Sequence, residues 1–140
     1  MPKRRAPVTT RQYEALANFR YRLRQFMRYS EEITRKHGMT PLQYQLLLQV
    51  KGYPGREWAS VSELAERLQA QHHGVVSLVT RCERLGLVKR VPSEADRRTV
   101  HVRLTRKGEN ALHRLAGLHR DELLAHPDQF VVSRLLARRR

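Results

Sequence analysis

The sequence predicts a mainly α-helical fold that carries one small β-hairpin. Apolar residues recur at steps of three and four through most of the 140 residues, which is the spacing of a helix face. Only between residues 87 and 104 does the pattern change to alternation, which is typical of paired strands. Two short helical segments joined by a tight break precede that hairpin, so residues 40–104 are predicted to form a winged helix-turn-helix lobe.

The charge of the chain indicates a polyanionic partner. Lysine and arginine number 28 against 13 aspartate and glutamate residues, which gives a formal net charge of +15 at pH 7. The excess is concentrated in residues 1–37, with ten basic and three acidic side chains, and in residues 71–108, with nine and three. Such self-repulsion adds nothing to a fold, so we expect the charge to serve binding. Ribosomal, RNA-binding and DNA-binding proteins share this property, and composition does not separate them.

The length and the cysteine usage suit one soluble, cytoplasmic domain. A chain of 140 residues is long enough for one core and leaves little room for a second. Cys82 is the only cysteine, which excludes an intramolecular disulfide framework and a Cys-x-x-Cys metal knuckle. Neither a secretory leader nor an apolar run of about 20 residues is visible, so we expect no membrane partner.

Helices are also predicted on both sides of the lobe. Residues 1–9 are basic and aperiodic, and we interpret them as a mobile arm. A long helix follows, with Thr10 as its N-cap and Gly38 as its stop. Its apolar stripe consists of Leu16, Phe19, Leu23, Phe26 and Ile33. At the other end, Thr105 caps a helix, and Asp128 caps a short last one. We expect 10–37 and 105–140 to be dimerisation helices.

The helix-turn-helix is predicted from its caps and its break. A connector with the single tryptophan, Trp58, leads to a short third helix. The cap of that helix is either Ser62 or Ser60, because Ser60 and Glu63 have the spacing of a capping box. A break at residues 69–73 separates it from a fourth helix over residues 74–85.

The fourth helix has one apolar and one polar face. Its apolar stripe is Val75, Leu78, Val79 and Cys82, at i, i+3, i+4 and i+7. The opposite face carries short hydrogen-bonding side chains first and arginines later: His73, Ser77, Thr80, Arg81 and Arg84, with Val76 at its edge. Entry into a major groove requires such groups against base edges and phosphates. A solvated helix has the same appearance, and the arginine-bearing hairpin that follows favours the DNA interpretation.

Three short motifs resemble the core of MarR-type (multiple antibiotic resistance regulator) transcriptional regulators. They are Gly86-Leu87-Val88 at a strand start, Asp96-Arg97-Arg98 at the wing tip and Leu104-Thr105-Arg106-Lys107-Gly108 at a helix start. Each motif is weak alone, but their order and spacing match the family across residues 60–108. Outside that core the chain is similar to the family by pattern rather than by motif.

The resemblance implies a ligand-responsive repressor that binds a pseudo-palindromic operator in double-stranded DNA as a homodimer. Arg98 would enter the minor groove, and Asp96 would support the wing. The residues expected at or near DNA are Ser62, Gln71, His72, His73, Gly74, Val76, Ser77, Thr80, Arg81, Arg84, Arg97 and Arg98. Catalytic residues, a metal and a cofactor are not expected, because no catalytic arrangement is visible.

An effector site is also implied by the resemblance. Members of the family bind small aromatic acids between the helical dimer region and the DNA-binding lobe. The basic and aromatic side chains that suit such a pocket here are Arg20, Tyr21, Arg24, His37 and Tyr44. The tyrosines have an alternative place in the dimer core.

Alternatives of the same fold stay open. A metal-responsive regulator would use some of the seven histidines, although no pair has the i, i+4 spacing of a helical metal site. A redox-responsive regulator would need a reactive thiol, whereas Cys82 lies on an apolar stripe. An RNA-binding winged-helix protein would use the same charge, but the fourth helix and the wing tip carry no stacking aromatic.

Overall fold

The computed structural model describes residues 1–128, 130–131 and 136–137 and has the mainly helical architecture expected from the sequence. Its elements are α1 (Thr10–Lys36), α2 (Pro41–Lys51), β1 (Trp58–Ala59), α3 (Val61–Leu68), α4 (His72–Arg84), β2 (Val88–Pro92), β3 (Val100–Leu104) and α5 (Arg106–Ala125). The strands form an antiparallel sheet in the order β1-β3-β2. Among the described residues, no helix is long and apolar enough to cross a membrane.

Capping boxes decide where α1, α2 and α3 begin. In each box, the hydroxyl of the N-cap residue accepts a hydrogen bond from the backbone N–H of the residue three positions later. The side chain of that later residue in turn accepts from the backbone N–H of the N-cap residue. The cap of α1 is Thr9 and not Thr10, because Gln12 completes the box with Thr9. Ser60 rather than Ser62 caps α3, because Glu63 completes that box.

The turn of the helix-turn-helix is shorter than the predicted break. Gln69 ends α3 with a left-handed backbone (φ 50°, ψ 48°), and α4 already begins at His72. The predicted start at residue 74 is therefore two residues late. Histidines are poor helix-start signals, which is why the two at the start of α4 were assigned to the break.

The sheet contains a strand that the sequence does not predict. The connector forms β1, in which Trp58 lies opposite Arg103 of β3 and Ala59 lies opposite Val102. Two residues are too few to show alternation, so periodicity missed the strand. The Trp58 ring stacks on the His101 ring at a centroid distance of 3.3 Å, and the Arg56 guanidinium lies 3.6 Å from the Trp58 ring centroid. The connector is thus held against the second strand of the wing.

The hydrophobic core lies between α2, α3, α4, the sheet and the start of α5. The predicted stripe of α4 is confirmed, because Val75, Leu78, Val79 and Cys82 are all buried. At Gly108 of α5, a Cβ atom would collide with the Leu87 carbonyl group at the start of β2. A glycine is therefore needed in the Leu-Thr-x-x-Gly motif, because the first turn of α5 lies directly on the wing root.

The helix α1 lies outside that core and packs along α5. Of its residues, Ala15 and Thr34 are buried. The predicted apolar stripe is partly covered within the chain, since Phe19 and Phe26 meet the Phe130 ring edge-on at 6.2 and 5.8 Å.

The C-terminal segment differs from the prediction where it is described. Phe130 lies in a turn and Val131 outside any helix, so a last helix starting directly after Asp128 is wrong at these two residues. Leu136 and Ala137 are helical. The rest of the predicted last helix lies outside the described residues.

Candidate nucleic-acid interface

The N-terminus of α4 presents exposed polar groups and backbone donors. Gln71, His72, His73 and Gly74 are all exposed. Gln71 is the N-cap residue, and its side chain makes no capping hydrogen bond. The first N–H groups of a helix have no partner inside it, so this end of α4 is suited to an anion such as a phosphate.

The outer face of α4 continues with side chains of the predicted kinds. Ser77, Arg81 and Arg84 are exposed, and Val76 is 37% exposed. Thr80 is half-buried, and Ser62 is exposed on the neighbouring helix α3. Within the described part of the chain, Ser77 and Arg81 make no side-chain hydrogen bond or ion pair, so their polar atoms are available to a partner.

Arg90 of β2 joins the wing to α4 and was missed by the sequence analysis. Its guanidinium donates to Glu83 Oε1 at 3.0 Å, to Thr80 Oγ1 at 3.0 Å and to the Val76 carbonyl oxygen at 3.3 Å. Its backbone N–H donates to the other Glu83 carboxylate oxygen at 3.0 Å. Arg90 therefore fixes α4 relative to the wing. The pairing of Glu83 with Arg90 could not be predicted from their spacing of seven residues, because only the turn at Gly86 brings the two side chains together.

The wing tip is shaped by Asp96. Its carboxylate accepts from the Arg98 backbone N–H at 3.0 Å and from the Thr99 hydroxyl at 3.2 Å. The Asp96 N–H donates to the Ser93 hydroxyl at 3.2 Å, and the Ser93 N–H donates to the Thr99 carbonyl oxygen at 3.0 Å. Asp96 thus supports the main chain of the tip.

The two tip arginines extend from this ordered turn into solvent. Arg97 and Arg98 are both exposed. Across the ranges that the structure describes, neither guanidinium forms an ion pair or a hydrogen bond. The tip therefore presents two uncompensated positive charges on a ribbon whose root is fixed to α4 through Arg90.

A second cluster fixes α3 to the connector. The Arg56 guanidinium pairs with Glu63 and lies over the Tyr53 and Trp58 rings, 4.1 and 3.6 Å from their centroids. Burial raises the pKa of the Glu63 carboxyl, but hydrogen bonds from Tyr53, Ser60 and Arg56 outweigh it and lower the pKa to about 2. Glu63 therefore stays ionised at the start of α3.

A cavity of about 500 Å³ lies at the junction of α1, α2 and α5. Its wall includes Tyr44, whose ring stacks on the buried His119 ring at 4.5 Å, and burial raises the pKa of the Tyr44 hydroxyl. The carbonyl of Leu115 accepts from His119 Nδ1 at 2.7 Å, and His119 Nε2 shares a hydrogen bond with the Ser30 hydroxyl at 2.7 Å. One histidine thereby links the three helices around the cavity.

The structure does not bring the predicted effector residues together in one chain. Tyr44 lines the 500 Å³ cavity, whereas His37 lines a separate cleft beside α4 and α5. Arg20, Tyr21 and Arg24 are exposed on α1 and line neither. The residues that sequence reasoning missed, above all His119 and Ser30, are polar positions inside apolar faces and had no pattern of their own.

Cys82 is a core residue. It is fully buried, and burial raises the pKa of its thiol to about 11, against a smaller lowering effect of the Arg81 charge. A thiol with such a pKa is almost entirely protonated at neutral pH and is a weak nucleophile. In the described ranges, no three or more histidine, cysteine, aspartate or glutamate side chains are grouped so that they could hold a metal ion.

Comparisons with known proteins agree with this geometry. A family model described as MarR family matches residues 37–99, from the end of α1 to the wing tip. A curated protein from Thauera aromatica, named "Putative transcriptional regulatory protein for hcr operon", is 32% identical over 90 residues. That alignment covers 64% of this chain and 52% of the curated protein, so the chain spans about half the length of the relative it matches.

Solved structures share the fold over most of the chain. A MarR family protein from Bacillus stearothermophilus superposes with a TM-score of 0.71 and 27% identity, covering 79% of this chain and 75% of that one. A MarR mutant from E. coli, solved in complex with operator DNA, has a TM-score of 0.63 at 21% identity, covering 74% and 72%. Its likeness shows the fold alone. With its winged-helix lobe, its matching segment and these relatives, the chain is similar to MarR family regulators over residues 37–99 and in its fold.

Proposed function

We propose that the protein is a sequence-specific regulator of transcription that binds double-stranded DNA as a homodimer on a pseudo-palindromic operator. One observation carries the proposal: Arg90 fixes the wing, whose tip bears two uncompensated arginines, to α4, whose outer face is exposed. A helix in the major groove and an arginine in the adjacent minor groove would require such a fixed arrangement. The residues proposed to contact DNA are those predicted from the sequence, with Arg90 and Glu83 as their support.

The homodimer is supported by apolar surface outside the lobe. Large apolar side chains remain exposed on α1 and near the end of α5: Tyr13, Leu16, Tyr21, Met27, Leu123 and Leu124. A patch of this kind on neighbouring helices is typical of a subunit interface. Two-fold symmetry would present two wings and two copies of α4 to the same side of a duplex.

We further propose a response to a small aromatic acid, by which the protein would act as a repressor. The support is the cavity between α1, α2 and α5, whose volume of about 500 Å³ lies in the usual range for small-molecule sites. It adjoins both the proposed dimer helices and α2 of the lobe. The alternatives have less support: among the described residues no three potential metal ligands are grouped, and Cys82, which a redox response would need, is buried with the pKa of its thiol raised to about 11.

The test of DNA binding is a salt titration. Fluorescence anisotropy would measure affinity for a duplex selected by the protein from a random-sequence pool, for an unselected duplex and for a structured RNA hairpin. If the dimer neutralises six to ten phosphates, affinity for DNA should fall by about 10³–10⁵ between 50 and 200 mM salt. The selected duplex should bind more tightly than the unselected one. Equal or tighter binding to the hairpin would assign the charge to RNA, and an affinity independent of salt would contradict both.

A further inference from the structure

We propose that Thr80 recognises the 5-methyl group of a thymine in the major groove. The inference rests on the proposed function and adds a base preference to it. Threonine can contact a base edge through its hydroxyl or through its methyl group, and the two contacts specify different bases. The hydrogen bonds around Thr80 decide between these two modes.

The hydroxyl of Thr80 is already occupied within the chain. It donates its single proton to the Val76 carbonyl oxygen at 3.0 Å. It also accepts a hydrogen bond from the Arg90 guanidinium at 3.0 Å, and the same guanidinium lies 3.3 Å from that carbonyl oxygen. Since a hydroxyl has one proton, Thr80 has no donor left for the acceptors of guanine, adenine or thymine.

Arg90 is itself bonded to Glu83 through both its side chain and its backbone. Its guanidinium pairs with Glu83 at 3.0 Å, and the second oxygen of that carboxylate accepts from the Arg90 backbone N–H. To free the Thr80 hydroxyl for a base, the protein would have to break bonds on α4 and on β2 together. Charge-assisted hydrogen bonds of this kind are stronger than neutral ones.

The chemistry that remains at this edge of α4 is mainly apolar. With its hydroxyl bonded to the Val76 carbonyl and the Arg90 guanidinium, the half-buried Thr80 keeps only its methyl group and one acceptor lone pair for a contact with a base. Val76 lies four residues before Thr80 on the same side of the helix and is 37% exposed. Thymine is the standard base that presents a methyl group in the major groove. A short apolar strip beside the polar face thus matches a thymine, while Ser77 and Arg81 keep their polar atoms for other bases.

The test combines two substitutions of Thr80 with one change of base, and it measures the affinity of each protein for each duplex. Thr80→Ser removes the methyl and keeps the hydroxyl, whereas Thr80→Val keeps the shape and removes the hydroxyl. Each protein is titrated with the duplex that the wild type selects from the random pool, and with copies in which single thymines are replaced by deoxyuridine. Thermal unfolding verifies that both variants fold like the wild type.

At one thymine in each half-site, loss of the methyl should weaken wild-type binding about three- to tenfold, the effect of one buried methyl group. Thr80→Ser should show that same loss on the unmodified duplex and no further loss with uracil. On each duplex, the affinity of Thr80→Val should lie within about twofold of the affinity of the wild type for that same duplex. If Thr80→Val is as damaging as Thr80→Ser, or if the uracil effect persists in Thr80→Ser, the inference is wrong. A wild type that selects no sequence would instead contradict the proposed function.

Discussion

At the scale of single residues, polar side chains near the proposed DNA surface divide into supporting and free groups. Asp96 and Arg90 have their polar atoms bonded within the chain. Ser77, Arg81 and Arg98 make no such side-chain bond within the described ranges. The supporting groups set geometry, and the free ones remain for a partner. The sequence predicted which residues are exposed, because exposure follows helical periodicity. It did not predict which were already bonded, since the partners come from other elements.

The wing arginine is the residue on which we expect binding to depend most. Arg98→Ala should leave thermal stability nearly unchanged, because the exposed guanidinium has no described partner in the chain. It should weaken specific DNA binding at least tenfold, or about 1.4 kcal/mol, since a narrow minor groove concentrates negative potential. Anisotropy with the selected duplex would measure both this variant and the wild type.

Arg97→Ala is the matched control for the wing. It removes an equal charge one residue away, and we expect a smaller loss. Should Arg97→Ala prove the more damaging change, the inserted arginine is assigned one residue too late. If neither substitution weakens binding, the hairpin does not contact DNA. Asp96→Ala should also weaken binding, because it removes two bonds that shape the tip while it leaves both arginines in place.

At the scale of elements, caps and periodicity predicted the helices. They did not predict the two-residue strand β1 or the contacts between residues of different elements. The Ser60 and Glu63 box was one of two options in the sequence, and the structure selects it. The strand β1 could not be predicted from two residues, because its formation depends on pairing with β3. The stack of Arg56, Trp58 and His101 likewise joins residues far apart in the chain.

The start of α3 should be sensitive to acid. The pKa of Glu63 in the folded protein is about 2, below its ordinary 4.5, so its ionised form stabilises the fold at neutral pH. That contribution is complete above about pH 4.5 and is lost as the pH falls towards 2. Glu63→Gln should lower the free energy of unfolding by roughly 1–2 kcal/mol at pH 7, a value reduced for partial solvent screening.

The glutamine variant also serves as its own pH control. It can still accept the capping bond from Ser60, but it has no charge to lose. Urea unfolding at pH 7, 4 and 2.5 should therefore give a difference from the wild type that shrinks as the pH falls. A difference that stays constant would mean that the Glu63 charge contributes nothing and that only the shape of the side chain matters.

At the scale of the whole molecule, the motifs of the lobe were sufficient to indicate the resemblance to MarR family regulators, and the exposed apolar side chains of α1 support the proposed homodimer. The expected effector pocket was less predictable. Its walls come from helices distant in sequence, and residues on one face of α1 were assigned to it although they are exposed in this chain. The surface that supports a dimer also differs from the predicted one, because Phe130 covers Phe19 and Phe26 of the apolar stripe. The apolar side chains that remain exposed, such as Leu16, are the ones available for an interface.

The dimer makes a direct prediction about mass. Light scattering at micromolar concentration should give twice the chain mass of 16.5 kDa. Leu16→Glu should shift the protein towards a monomer, because it places a charge in the proposed interface, where Leu16 is 42% exposed in the single chain. Leu85→Glu is the matched control, since that leucine is 48% exposed on the lobe. A monomeric wild type, or an equal effect of both variants, would contradict this interface.

The continuous helix α5 has a mechanical consequence. Its 20 residues begin directly after β3 at the wing root and run along α1, so one rod of about 30 Å joins the wing to the opposite end of the molecule. A tilt of about 10° at its far end would move the wing root by about 5 Å. That displacement exceeds the rise of about 3.4 Å between successive base pairs. If the protein binds DNA as proposed, a small angular change among the terminal helices would therefore move the wing by more than one base pair along a duplex.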